Sequence, residues 1–229
     1  AKHVPQLVKE IASRGHEIGS HSYWHRLIYR LTPEQFRADV CRSRDVLEDL
    51  IGKPVVMYRA PSFSITKKSL WALEILVEEG FSADSSIFPT HHDRYGIPDA
   101  KRHIHTIDTP AGPLLEFPPS VFRVGRVNIP ISGGGYFRAE PWPIYKRLAR
   151  RCVKRTEHPL MFYIHPWEVD PEQPRMHHSS IATRFRHYVN LRHTEDKLKQ
   201  LLESFRFAPM GNVLQNVEKS NSRLLTSNS

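Results

Sequence analysis

Apolar residues recur along this chain at two alternating periods. Val4, Leu7, Val8, Ile11 and Ala12 follow i, i+3, i+4, i+7 spacing, which predicts an amphipathic helix closed by Gly15. HEIGSHS reads as a short strand leading into HSYWH. Thr32-Pro33-Glu34-Gln35 has capping-box spacing with proline at the first helical position, so a helix starts there. Phe36, Val40, Leu47, Leu50 and Ile51 mark its buried face and Gly52 ends it. PVVMYRAP is a buried strand running into a turn. Thr66 caps the next helix, SLWALEILVEEG, which stops at Gly80, and FSADSS is another strand.

Strand–helix–strand–helix alternation predicts an α/β fold with a parallel sheet and helical crossovers. Ile87 to Pro113 reads as one long loop rich in Pro, His and Asp, a length that usually carries function or belongs to an insertion. LLEFPPS and VFRVGRVNIPIS are strand-like, and Gly133-Gly134-Gly135 breaks the chain. Pro141 to Arg155 is helical, with Tyr145, Leu148, Ala149 and Cys152 on one face. LMFYIHPWE predicts a buried strand ending in polar residues. A last helix, capped by Thr194, runs through LKQLLESF, and a polar tail begins near Gln215.

Composition narrows the class. The 229 residues are 39% apolar and 25% charged, enough for a buried core and too ordered in pattern for wholesale disorder. Apolar runs are short, so no membrane-spanning helix is expected. The opening lacks a charged region followed by an apolar one, so no signal peptide is read and the expected location is cytoplasmic. Cys41 and Cys152 lie far apart, which excludes a disulfide scaffold and any CxxC motif. Net charge is +9. From Lys101 to Arg155 there are eleven Lys/Arg against Asp108, Glu116 and Glu140. Such a surface attracts nucleic acid, anionic glycan or anionic lipid, or is simply a solvated helix face. No aromatic-interleaved motif accompanies it, which argues against nucleic acid.

Four clusters fall where strands should end: HSYWH, YRAPSF, SADSS and YIHPWE. Chemistry in parallel α/β folds collects at the carboxyl ends of strands. His21 and His25 are spaced i, i+4, which suits a Zn²⁺-type ion held by neutral imidazoles. Two such ligands are one short of a catalytic zinc site, and a carboxylate is the natural third. His165 ends an apolar run and can act as general acid or base, or sit as a satisfied core histidine. Arg59 precedes Pro61 and needs a carboxylate partner if buried.

In this order the clusters resemble the polysaccharide deacetylase family, also called the NodB-homology or carbohydrate esterase four group. Its metal-binding H-[ST]-x-x-H motif is matched by His21-Ser22-Tyr23-Trp24-His25, its R-x-P motif by Arg59-Ala60-Pro61, its acidic strand by Asp84, and its terminal hydrophobic-x-His motif by Ile164-His165 or Tyr163-His165. DSSIFP, HHDRYG, EFPPS and HPWEVDPEQPR resemble a bacterial subgroup linked to exopolysaccharide loci, often beside exosortase systems, with a C-terminal extension. The resemblance implies a distorted (β/α) barrel over residues 1–168, an extension over 169–214 packed on it, and a flexible tail over 215–229. It implies metal-dependent removal of N-acetyl groups from amino sugars of a bacterial poly- or oligosaccharide.

The roles implied are metal ligation by His21 and His25, with zinc as the ion, and proton donation by His165 beside Asp84. Arg59 orients a catalytic base. A backbone N–H near Ser62 or Phe63 holds the oxyanion, and Trp167 lies along the sugar. The chain departs from the pattern twice. The family's Asp motif, which supplies the base and third metal ligand, should precede HSYWH. None of the 20 residues before His21 is Asp, so the barrel is expected to lack its first strands. Asp84 or Asp93 is the nearest stand-in. Ser62 also stands where the family commonly has an aromatic, with Phe63 next to it. The alternative is a catalytically inactive fragment or homologue that binds glycan.

Overall fold

The structure, a computed structural model, describes residues 1–92, 95–156, 158–175 and 181–217. Contacts divide the chain into Ala1–Pro118 with Ala208–Ser229, and Pro119–Phe207.

The first unit begins with α1 (Pro5–Ser13), whose apolar face is only partly covered: Val8 and Ala12 are half-buried, while Leu7, Ile11 and the preceding Val4 are exposed. HEIGSHS contributes a single parallel bridge, Ser20 to Tyr58, where a strand was expected. Helix α2 (Pro33–Ile51) starts as the sequence predicts: Thr32 and Gln35 cap each other reciprocally, and Gly52 closes it at φ 65°, a left-handed conformation that glycine adopts without penalty. β1 (Met57–Tyr58), α3 (Trp71–Glu78) and β2 (Ala83–Asp84) follow. Thr66 does not cap α3; the helix starts after Leu70 without a side-chain cap, and Ser69 Oγ accepts the Thr66 N–H within the preceding turn.

The expected long loop contains a strand. β3 (His105–Thr109) pairs antiparallel with β4 (Gly112–Glu116), giving the sheet order β1-β2-β4-β3 with β1, β2 and β4 parallel. Among its other described residues Ile87, Phe88 and Ile97 are buried, and the Ile97 N–H donates to the Phe88 carbonyl at 2.8 Å. Asp84 and Glu116 stand directly opposite each other at the carboxyl ends of β2 and β4. Phe36, Val40, Tyr58, Leu76 and Leu114 fill the core between sheet and helices. Residues 210–217 are helical, and the remainder of the predicted tail lies outside the described residues.

The second unit opens with the antiparallel hairpin β5 (Val121–Val124) and β6 (Val127–Pro130). After α4 (Gly134–Ala139), α5 (Trp142–Thr156) buries Tyr145, Ala149 and Cys152, the face its sequence predicts. LMFYIHPWE is not a strand. Tyr163 makes one bridge, to Gly133, and Met161 N–H is taken by the Ser120 hydroxyl instead of a ladder carbonyl. α6 (Ile181–Tyr188) and α7 (Leu191–Ser204) complete the unit. Thr194 is buried inside α7, its hydroxyl donating back to the Asn190 carbonyl, so it does not cap the helix. Cys41 and Cys152 form no disulfide.

Candidate functional site

In the first unit the HSYWH segment is a tight loop held by one carboxylate. Asp39, buried on α2, accepts hydrogen bonds from Ser22 Oγ, Tyr23 N at 2.9 Å and Trp24 N at 2.9 Å. These bonds fix a backbone that is otherwise unfavourable. Ser22 has φ 69° and His25 φ 54°, left-handed values that cost a non-glycine residue about 1–3 kcal/mol each. Ser62 at 53° and Phe63 at 51° share that region, so four of the five such residues described lie in two motif segments.

The loop brings the imidazoles of His21 and His25 edge to face, centroids 5.0 Å apart. His21 Nδ1 lies 2.6 Å from the Arg59 carbonyl. A carbonyl only accepts, so Nδ1 carries the proton, and in the neutral ring Nε2 is the nitrogen with the lone pair. That tautomer and spacing fit a shared divalent ion as two of its ligands. Among the described residues no group of three His, Cys, Asp or Glu side chains encloses an ion. Asp93 lies outside them.

Arg59 thus serves His21 through its backbone. Its guanidinium reaches Ser85, Nε to the carbonyl at 3.2 Å and Nη2 to Oγ at 2.9 Å, and lies over the Phe63 ring. Phe63 N–H donates to the Ala60 carbonyl at 3.1 Å and is not available to an oxyanion. Ser62 is exposed beside it. Asp84 accepts from Ser86 Oγ at 2.5 Å and faces Glu116, both carboxyls fully buried. Burial raises both pKa values; hydrogen bonds from Glu116 and Ser86 soften the shift at Asp84, while the Asp84 charge adds to burial and pushes Glu116 well above its ordinary value. Of the two carboxyls, Glu116 is thus the one that burial and its neighbour's charge favour in the protonated form.

In the second unit His165 is half exposed, and its Nδ1 lies 2.7 Å from Glu168 Oε1. Glu168 Oε1 also accepts the His165 backbone N–H at 3.1 Å, and its Oε2 receives Arg138 Nε at 2.7 Å. Arg138 and Glu168 are both buried, and Arg138 Nη1 donates further to the carbonyls of His187 at 2.7 Å and Val189 at 3.0 Å. Burial pushes the Glu168 pKa up, but hydrogen bonds from His165 and Arg138 outweigh it and hold the carboxyl below its ordinary value. Trp167 stacks on His187 with centroids 4.2 Å apart and also lies beside His165. The carboxylate bonded to His165 is therefore Glu168, which sequence reasoning did not single out. The signal was present: His165-Pro166-Trp167-Glu168 has the spacing of a capping box.

Gly133 and Gly134 fix the approach to this segment. A Cβ on Gly133 would stand 1.9 Å from the Tyr163 carbonyl oxygen, and one on Gly134 2.9 Å from the Tyr163 hydroxyl. Only glycine allows this close contact, and Gly133 also has φ 134°.

Comparison with known proteins divides the sequence between residues 76 and 85, inside the first contact unit. Residues 85–215 match a family described as a domain of unknown function, DUF3473, and residues 1–76 match the polysaccharide deacetylase family. A peptidoglycan-N-acetylglucosamine deacetylase of Bacillus cereus is 32% identical over 75 residues, 32% of this chain and 27% of that protein. A peptidoglycan deacetylase of Helicobacter pylori is 31% identical over 88 residues, 38% of this chain and 28% of that protein. The matched stretch thus spans little more than a quarter of either curated relative. A crystal structure titled as a putative polysaccharide deacetylase from Mycobacterium smegmatis superposes with a TM-score of 0.62 at 18% identity, covering 96% of this chain and 69% of that one. The α/β fold is that of the NodB-type deacetylases.

Proposed function

We propose, from the premise that the chain belongs to the DUF3473 family, that it acts in metal-dependent removal of N-acetyl groups from amino sugars of a bacterial exopolysaccharide. The observation that carries this reading is the His21–His25 pair, its tautomer set by the Arg59 carbonyl inside the segment matching polysaccharide deacetylases. His21 and His25 would hold the ion, zinc by their chemistry. When bound, such an ion polarises an acetyl carbonyl and lowers the pKa of water.

Each unit's own groups have a separate capacity. In the second unit His165 is suited to give a proton from Nε2 to a nitrogen leaving group, which departs poorly as an anion. Glu168 accepts from Nδ1 and stabilises the imidazolium, the role first assigned to Asp84, and Arg138 keeps Glu168 ionised. Ser62 N–H is the candidate donor to the oxyanion. Trp167, beside His165, presents an aromatic face to a sugar ring.

Zinc titration of the chain and of His21→Ala, His25→Ala and His165→Ala tests the assignment. Affinity falls at least tenfold in the first two and stays within about twofold in the third. Equal loss in all three makes His165 a ligand and overturns the division of roles. Acetate release from N-acetylated chito-oligosaccharides is followed in parallel. Zinc binding without acetate release supports the alternative, a glycan-binding homologue.

A further inference from the structure

The basic stretch singled out in the sequence takes no part in the chemistry above. Helix α5 carries Lys146, Arg147, Arg150, Arg151, Lys154 and Arg155 and no acidic residue. None of the six makes an ion pair with a described carboxylate. Apolar side chains are exposed among them: Ile144 at 53% and Val153 at 40%. The other face is anchored in the core by Tyr145, Ala149 and Cys152, which leaves Arg147, Arg150, Arg151 and Lys154 exposed.

The β5–β6 hairpin adds to this face. Arg155 lies over the Phe122 ring, 5.4 Å from its centroid, and Cys152 Sγ contacts the Val121 carbonyl. The cationic end of α5 therefore sits at the root of the hairpin. The tip, residues 123–127, is exposed throughout, with Val124 at 52% and Val127 at 63% flanking Gly125 and Arg126. Cations interleaved with aliphatic side chains are the composition of an interfacial surface: the cations meet anionic headgroups and the aliphatics enter the acyl boundary. A glycan or a single-stranded nucleic acid would call for exposed aromatics to stack on. The α5 face offers only Trp142, which is partly covered and stacked on Tyr145.

We propose that α5 and the β5–β6 tip dock the protein on an anionic phospholipid bilayer, lying on it rather than crossing it. Among the described residues no helix is long and apolar enough to span a membrane. Each Lys or Arg at an anionic surface contributes about fivefold to partitioning at low salt.

The test is co-sedimentation of the full chain with vesicles of 30% phosphatidylglycerol in phosphatidylcholine, against phosphatidylcholine alone. Binding to the anionic vesicles is expected, falling steeply with salt. Arg147→Gln/Arg151→Gln/Lys154→Gln lowers partitioning about a hundredfold. A control removing the same charge elsewhere, Lys9→Gln/Lys53→Gln/Lys68→Gln, changes it less than fivefold. Val124→Asp/Val127→Asp, at exposed positions that leave the fold intact by circular dichroism, also weakens it. Equal loss in both charge triples, equal binding to neutral vesicles, or tighter capture by single-stranded DNA or a polyuronate than by anionic vesicles overturns the proposal.

Discussion

Replacing Glu168 with glutamine removes one charge from a pair buried with almost no solvent contact, the two side chains being 1% and 2% exposed. The Arg138 guanidinium then stays buried without its counter-charge. Breaking such a pair by removing one partner costs about 3–5 kcal/mol. Arg138→Met costs at least as much, because the carbonyls of His187 and Val189 lose their donor as well. Arg138→Met/Glu168→Leu removes both charges, so its loss is smaller than the sum of the single losses by about 2 kcal/mol or more. Urea unfolding of a Trp24→Phe/Trp71→Phe/Trp142→Phe background, followed by the remaining Trp167 fluorescence, reports on this unit, since the indole stacks on His187 and lies 5.0 Å from the Arg138 guanidinium carbon. The pH dependence gives a second reading. The folded pKa of Glu168 is depressed, so its contribution is present above the ordinary value of 4.5 and is lost as pH falls through the folded value. Glu168→Gln lacks that part of the acid limb. Additive single losses, or single losses under about 1 kcal/mol, would refute the claim that the pair is a coupled unit.

Glu116→Gln mimics the protonated acid and leaves stability within about 1 kcal/mol, whereas Glu116→Ala costs more. The raised folded pKa means that the wild-type contribution is lost as pH rises above 4.5 through the folded value; urea midpoints across pH 5–8 should be flatter in Glu116→Gln. Asp39→Ala removes the acceptor of three hydrogen bonds and lowers stability by about 3 kcal/mol, with a drop in zinc affinity as the loop relaxes. Gly133→Ala, forced against the Tyr163 backbone, costs about 3 kcal/mol or more, read as a fall in thermal midpoint.

Features set by neighbours in sequence were readable before the structure. Helix α2 declares its start through Thr32, Pro33 and Gln35 and its end through Gly52. Arg59 does follow a strand, β1, whereas His21 and His165 come after single bridges rather than the strands the sequence suggested. What needed tertiary contacts was hidden. β3 alternates only weakly, with His105, Ile107 and Thr109 half-buried and two polar residues exposed, so it passed for loop. LMFYIHPWE has the apolar content of a strand, yet its Met161 amide is met by a serine side chain. Arg138 and Glu168 are far apart in sequence, and their pairing exists only once the second unit folds. Asp39 gave one sign: a carboxylate beside Val40 on an apolar helix face has to be satisfied by something.

The left-handed backbone at His25 sets a conflict for any search among variants. Glycine is the residue that such a φ favours, and at position 22 it would relieve the same tension while giving up only the hydroxyl bond to Asp39. At position 25 the same exchange removes an imidazole. A selection scored on folding alone would drift toward glycine there, and a lineage freed from the chemistry should record that release first at this residue, before any change reaches the core.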